Sequence, residues 1–291
     1  GSRDLGYSGL DDLWFSKYDM PADEFLEETD SVWEEVKPLY DALHCHVRSQ
    51  LNAHYGDEVV PLDGPLPVHL MGNMWGQSWS NIYDLVYPEA NQTKSVNVTQ
   101  IIEERNINEI EMVEYAEDFF LSIGFEPLPD TFWERSLFVK PQDRSVVCHA
   151  SAWNLDSANN DLRIKMCIEK NEEDFITIHH ELGHIFYYQA YNHLPTLFQG
   201  GANDGFHEAF GDLLTLSITP DYLNRIGFIS EGEAELAKND SIGLLMKQAL
   251  EGVVVIPWAL MLDKWRAGVF KGEIGRDELN QAWWNMRESY Q

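Results

Sequence analysis

Two histidines four residues apart flank a glutamate in the run His180-Glu181-Leu182-Gly183-His184. On a helix, that spacing puts both imidazoles on one face, where they can bind one metal ion. Zinc in hydrolytic sites takes nitrogen ligands at about 2.0–2.1 Å in a tetrahedral array and keeps one position for water. Glu181, one residue on, can accept the proton of such a water. The pattern also arises by chance, and a core helix whose histidines only hydrogen-bond would read the same way. A third ligand is therefore needed. The run Gly205-Phe206-His207-Glu208-Ala209-Phe210-Gly211-Asp212 opens another helix rich in candidates. Glu208 lies 24 residues beyond His184, a reach that a helix–loop–helix can close. Asp212 is one turn further on the same face and can hold a ligand imidazole in the required tautomer.

The elements that must position these groups are mostly helical. Apolar residues recur at helical spacing over 22–54, and Gly56 is a stop signal. The same periodicity predicts helices over 68–86 (with Trp75 and Trp79 four apart), Asn108–Ile123, 172–191, 205–218, 241–270 and 277–290. Residues Ser136–Trp153, with Val139, Val146 and Val147 among polar turn residues, predict a short strand or hairpin. Ile164–Ile168 is its expected partner. The reading is a mainly α chain with a small sheet, and it shows no repeat or low-complexity tract.

With 291 residues, the chain can form one large domain or two lobes sharing a core. Its 44% hydrophobic and 12% aromatic content is too high for disorder. Forty-nine acidic residues against 20 basic ones give a net charge of −29, which argues against nucleic acid or anionic lipid as partners. No apolar run approaches the roughly 20 residues of a membrane span; the longest, around Val253–Leu262, is broken by Pro257 and reads as a core helix. The three cysteines, Cys45, Cys148 and Cys167, allow one pair and one free thiol. Sequons at Asn91, Asn97 and Asn239 are usable if the chain is exported by a eukaryote.

Longer runs carry a specific resemblance. His179-His180-Glu181-Leu182-Gly183-His184-Ile185 and the Gly201–Asp212 segment are similar to the catalytic core of the angiotensin-converting enzyme family of zinc peptidyl dipeptidases. So are Lys37-Pro38-Leu39-Tyr40, Met74–Trp79, Val147–Trp153, Asp263–Arg266 and Trp283-Trp284. The resemblance implies a two-lobed, gluzincin-like helical metallopeptidase with a small β-sheet near the active site. By it, His180, His184 and Glu208 would hold Zn²⁺, Glu181 would act as base, and Asp212 would support a ligand histidine. His149 and Ala150 would meet the backbone of an oligopeptide with a free C-terminus, Ala150 from a strand edge.

Gln77 stands where the dipeptide-releasing branch has glutamine and the single-residue carboxypeptidase branch has arginine. Trp283 and Arg287 resemble part of a chloride site, although a Trp–Arg pair four apart is also an ordinary stacking pair. Cys148 and Cys167 match a disulfide of the family, which implies a secreted or periplasmic location. Cys45 would then be a buried free thiol, or a partner for something absent here, and the scarcity of other cysteines points towards a bacterial-type member. The resemblance also implies an N-terminal lid and a C-terminal portion, with an oxyanion-stabilising tyrosine, that residues 1–291 do not contain. These residues would then form part of a single peptidase catalytic domain. Losing an oxyanion donor costs about 10²–10³ in turnover, so the alternative expectations are a zinc-binding but weak or inactive fragment acting as a binding protein, or a single-residue carboxypeptidase.

Overall fold

The computed structural model describes residues 1–72, 75–87 and 96–290. They fall into two compact units, one of 1–92 with 240–291 and one of 93–239. The Asn91 sequon and Met74 lie outside the described residues, as does the side chain of Ser241 in the Asn239 sequon.

The first unit is built on the helix Ala22–Tyr55, which continues through Pro38 and ends at Gly56 with φ 82°. That positive φ suits glycine, which has no Cβ to clash. Trp33, Tyr40, Leu43, Val47 and Leu51 line one face and pack with Trp79, Val86, Leu250, Val254 and Leu260. A helix–π turn–helix run, Ser241–Gln248, Ala249–Val253 and Val254–Lys271, carries the last three of these. Its stretch Ile242–Lys271 is, by length and composition, apolar enough to cross a membrane. The apolar run expected around Val253–Leu262 is part of this longer stretch, whose helix continues through Pro257. Length and composition do not establish a span, and Leu250, Val254 and Leu260 belong to the unit's core.

The helix expected over 68–86 is not there. Among its described residues the segment has only the short turns Val68–Leu70 and Ser80–Ile82 and one helical turn, Tyr83–Val86. Gly72 and Gly76 adopt φ 75° and 60°, which breaks a right-handed helix before Trp75 and again between Trp75 and Trp79. The Trp79 amide instead donates to the distant Leu250 carbonyl at 2.8 Å. Cys45 is exposed, not buried as expected.

The second unit packs the helices Glu109–Ser122, Glu172–Asn192 and Asp204–Thr215 around one apolar core. Against them lies an antiparallel hairpin, β1 (Ser151–Asp156) and β2 (Asp161–Lys165). The Asp156 side chain caps the turn by accepting from the Ala158 and Asn159 amides, and Asn160 closes it at φ 52°. The strand therefore begins later than the expected 136–153. Val147 is 71% exposed in the preceding loop, where nothing rewards its β propensity. Leu137 alone makes an isolated parallel bridge to Lys165. Asp161 closes the β2 end by pairing with both Arg135 and Arg163. These hydrogen-bonded guanidinium groups, that of Arg163 foremost, hold its carboxyl down at about 2.

Candidate metal centre

The site begins with the anchoring of the motif helix Glu172–Asn192. The Asn171 side chain caps it, accepting from the Asp174 amide at 2.7 Å. Phe175, Ile178, Leu182, Ile185 and Phe186 are fully buried along its inner face. At about 1.5–3 kcal/mol each, their burial makes the helix a rigid platform. Beside it lies the helix Asp204–Thr215, capped by Asn203, which accepts from the Phe206 amide at 2.6 Å.

Two glycines let these helices meet. A Cβ built on Gly183 would lie 3.0 Å from Gly211 Cα, and one on Gly211 would lie 2.8 Å from His180 Nδ1. The backbone of the second helix thus rests against the first imidazole. Both glycines are interior helix positions, where glycine costs about 1 kcal/mol relative to alanine.

The crossing brings three donor atoms together. Nε2 of His180 and Nε2 of His184 are 3.1 Å apart. Glu208 Oε2 lies 3.3 Å from the first and 3.5 Å from the second. Ligands about 2.0–2.1 Å from a tetrahedral zinc stand about 3.3–3.4 Å from one another, so the triangle fits that ion. Among the described residues this is the one His/Cys/Asp/Glu group with metal-holding geometry.

The outer nitrogens are engaged too. His180 Nδ1 donates to Asp212 Oδ1 at 2.9 Å, and His184 Nδ1 lies 2.7 Å from His207 Nδ1. Both Nε2 atoms are therefore left to face the centre. Burial opposes a charge on His180, but its hydrogen bonds to Asp212 and Glu208 outweigh this and push it up to about 10. Hydrogen bonds from His180 and His184 hold the Glu208 carboxyl well below the usual range. A site that favours positive charge so strongly suits a divalent cation.

Glu181 is 6% exposed, and its Oε2 is buried without a hydrogen-bond partner among the described residues. Burial raises its pKa, with His180, His184 and His149 working against the rise and Glu208 adding to it. A carboxylate so desolvated is a stronger proton acceptor than one in water. The influence of His149 on Glu181 places that exposed histidine within electrostatic reach of the centre. His149 Nδ1 contacts the Ala150 carbonyl at 2.8 Å. Ala150 stands one residue before β1, not within the strand as expected. The Cys148–Cys167 disulfide is formed, with Cα atoms 5.0 Å apart, and fixes this loop beside the end of β2.

Gln77, Trp283 and Arg287 belong to the other unit. The Gln77 side-chain oxygen is buried with no partner among the described residues. Trp283 packs edge-on against Trp265 at 5.6 Å, and Arg287 donates to the Trp75 carbonyl at 2.8 Å. The sequence reading gave no role to Gly183, Gly211 and His207, nor to the tyrosines that surround His207.

The family profile of angiotensin-converting enzyme matches residues 1–291. The angiotensin-converting enzyme of Bos taurus is 46% identical over 289 residues, covering 98% of this chain and 22% of its own length. That of Haematobia irritans exigua is 41% identical over 285 residues, covering 96% of this chain and 45% of its own. That of Theromyzon tessulatum is 39% identical over 287 residues, covering 98% and 46%. The chain thus spans less than half the length of these curated relatives. A match over every residue, joined to a His-His-Glu centre on two crossing helices, establishes the lineage: the chain belongs to the angiotensin-converting enzyme family.

Proposed function

We propose that this chain is the metal-bearing part of a zinc peptidyl dipeptidase, a single catalytic domain that removes dipeptides from the free C-terminus of oligopeptides. The observation that carries the proposal is the triangle of His180 Nε2, His184 Nε2 and Glu208 Oε2, with sides of 3.1, 3.3 and 3.5 Å. Zinc held there would polarise the scissile carbonyl and acidify a water. Glu181, desolvated and with an oxygen unspoken for, takes the proton from that water and delivers it to the leaving amine. Asp212 keeps His180 in the tautomer that presents Nε2 to the centre.

An extended peptide would lie against the loop of His149 and Ala150. There the β1 edge not bonded to β2 offers backbone groups for strand addition. Gln77 would receive the substrate's terminal carboxylate through its side-chain amide N–H groups, which can donate to an anion. Chloride at Trp283 and Arg287 is the remaining part of the reading. In its support, the Arg287 guanidinium is half-buried, and its donation to a backbone carbonyl leaves other N–H groups for an anion. The Cys148–Cys167 bond supports an extracytoplasmic, oxidising location.

The test is mass spectrometry of a free-C-terminus decapeptide incubated with the chain, with and without a zinc chelator. Losses in steps of two residues that the chelator stops are the expected result. Losses of single residues would overturn the assignment of Gln77, and cleavage untouched by the chelator would overturn the metal reading.

A further inference from the structure

We propose that His207 is a positioning residue for the second ligand imidazole, His184, and that a seat of three tyrosines holds it for that purpose. The inference rests on the zinc reading above. His184 Nε2 faces His180 and Glu208 at 3.1 and 3.5 Å. A lone pair committed to that side leaves the ring proton on Nδ1. That Nδ1 lies 2.7 Å from His207 Nδ1. Two ring nitrogens at that distance share a single proton, so His207 Nδ1 is the acceptor. Its own proton is then on Nε2, which points at the Tyr191 hydroxyl oxygen 3.4 Å away. The tautomers of both histidines are fixed by one directional chain, His184 to His207 to Tyr191.

The ring of His207 is held on several sides. Tyr187 and Tyr188 each place a ring centroid 4.7 Å from it, and the His184 centroid is at 4.9 Å. Gly201 closes another side, since a Cβ there would come within 3.1 Å of His207 Cδ2. The three tyrosines come from two adjacent turns of the motif helix, whereas His207 comes from the neighbouring helix. The seat therefore registers the two helices against each other at the ligand pair. Asp212 gives His180 a charged acceptor, and His207 gives His184 a neutral one. The second support orients its ligand without adding negative charge to a centre that already carries Glu181 and Glu208.

The test measures the zinc affinity of the full chain by competition with a chromophoric chelator. His207→Leu, which removes the acceptor, is expected to weaken zinc binding about 10–100-fold, the usual cost of losing such an outer partner. His207→Asn, whose Oδ1 can accept the same proton, is expected to recover most of the loss. The visible spectrum of bound Co²⁺ should change in the leucine variant and return in the asparagine variant, which a purely structural role would not produce. A folded His207→Leu protein with wild-type zinc affinity and an unchanged Co²⁺ spectrum overturns the proposal. Wild-type protein that binds no zinc overturns the metal reading itself, and this proposal with it. Should the leucine variant not fold, nitrogen-15 NMR of the wild-type imidazoles decides. A His207 ring protonated at Nε2 supports the assignment, and one protonated at Nδ1 sinks it.

Discussion

Replacing Gly211 by alanine should damage the metal centre without touching any ligand. A Cβ at that position would stand 2.8 Å from His180 Nδ1, 3.0 Å from Cε1 and 3.1 Å from Cγ. Ordinary contacts begin near 3.4 Å, so the imidazole must retreat by about 0.5 Å or the helices must part. Parting is resisted on the far side, where Leu182, Ile185 and Phe186 are fully buried. Metal–ligand distances tolerate about 0.2 Å, and the displaced atom is the one that donates to Asp212. Zinc affinity should therefore fall at least about tenfold. Stability changes less. Overpacking costs about 1–3 kcal/mol, and alanine returns about 1 kcal/mol of helix propensity. The two should leave a net loss of about 0–2 kcal/mol. Chelator competition reads the first quantity, and urea unfolding of metal-stripped protein reads the second. Gly232→Ala serves as the control, since a Cβ there meets nothing within 4 Å. If Gly211→Ala binds zinc as tightly as wild type and unfolds at the same urea concentration, the helix contact is not what positions His180.

Glu181→Gln should keep one zinc per chain and lose dipeptide release by at least about 10²-fold, as loss of a general base does; near-normal turnover of the decapeptide would remove Glu181 from the mechanism. Breaking the Cys148–Cys167 bond in a Cys167→Ser variant frees a loop with a sequence separation of 19. That should cost about 3 kcal/mol in urea unfolding, whereas alkylating the exposed Cys45 should cost nothing; equal unfolding midpoints for the serine variant and wild type would contradict this. Burial pushes His179 down to about 4 from its usual 6.5. The unfolded chain thus takes up the proton first, and stability is full above about pH 6.5 and lost as the pH falls to about 4. The loss is on the order of 3 kcal/mol, read as the fall in unfolding free energy between pH 7 and pH 4. A His179→Leu variant, with no ring to protonate, should show a correspondingly flatter profile. A profile as steep as that of wild type would refute the assignment to this ring.

How much of this was legible in the sequence depended on the range of the forces involved. The motif helix was expected over 172–191 and runs Glu172–Asn192, because Phe175, Ile178, Leu182, Ile185 and Phe186 recur at helical spacing and are all fully buried. The long helix expected over 22–54 ends at Tyr55 before Gly56 for the same reason. The 68–86 segment failed because Trp75 and Trp79 satisfied the spacing, while Gly72 and Gly76 decided the backbone and a bond to Leu250 decided the packing. Only that last bond is long-range, so the two glycines, lying between apolar residues four apart, were the readable warning. The strand start moved to Ser151 because the pairing of β1 with β2, closed by the Asp156–Asn160 turn, outweighed the β propensity of Val146 and Val147.

The centre divides along the same line. His180, Glu181 and His184 could be placed together from one helix, since four residues bring a side chain back to the same face. Glu208 could only be nominated, because a loop of unknown path separates it from them. What joined it to them was a helix crossing in which Gly183 and Gly211 stand nearly in contact. No single-helix pattern encodes a crossing, but a glycine retained in each of two helix interiors, against a cost of about 1 kcal/mol apiece, is the trace that such a crossing leaves. His207 follows from that crossing in turn. It directly precedes Glu208, and only once the two helices are in register does its ring meet His184 instead of solvent. The glycines set the distance between the helices, and the tyrosine seat sets their register. Glu208 reaches the two imidazoles only when both are satisfied, so damage to either should first appear as lost metal affinity.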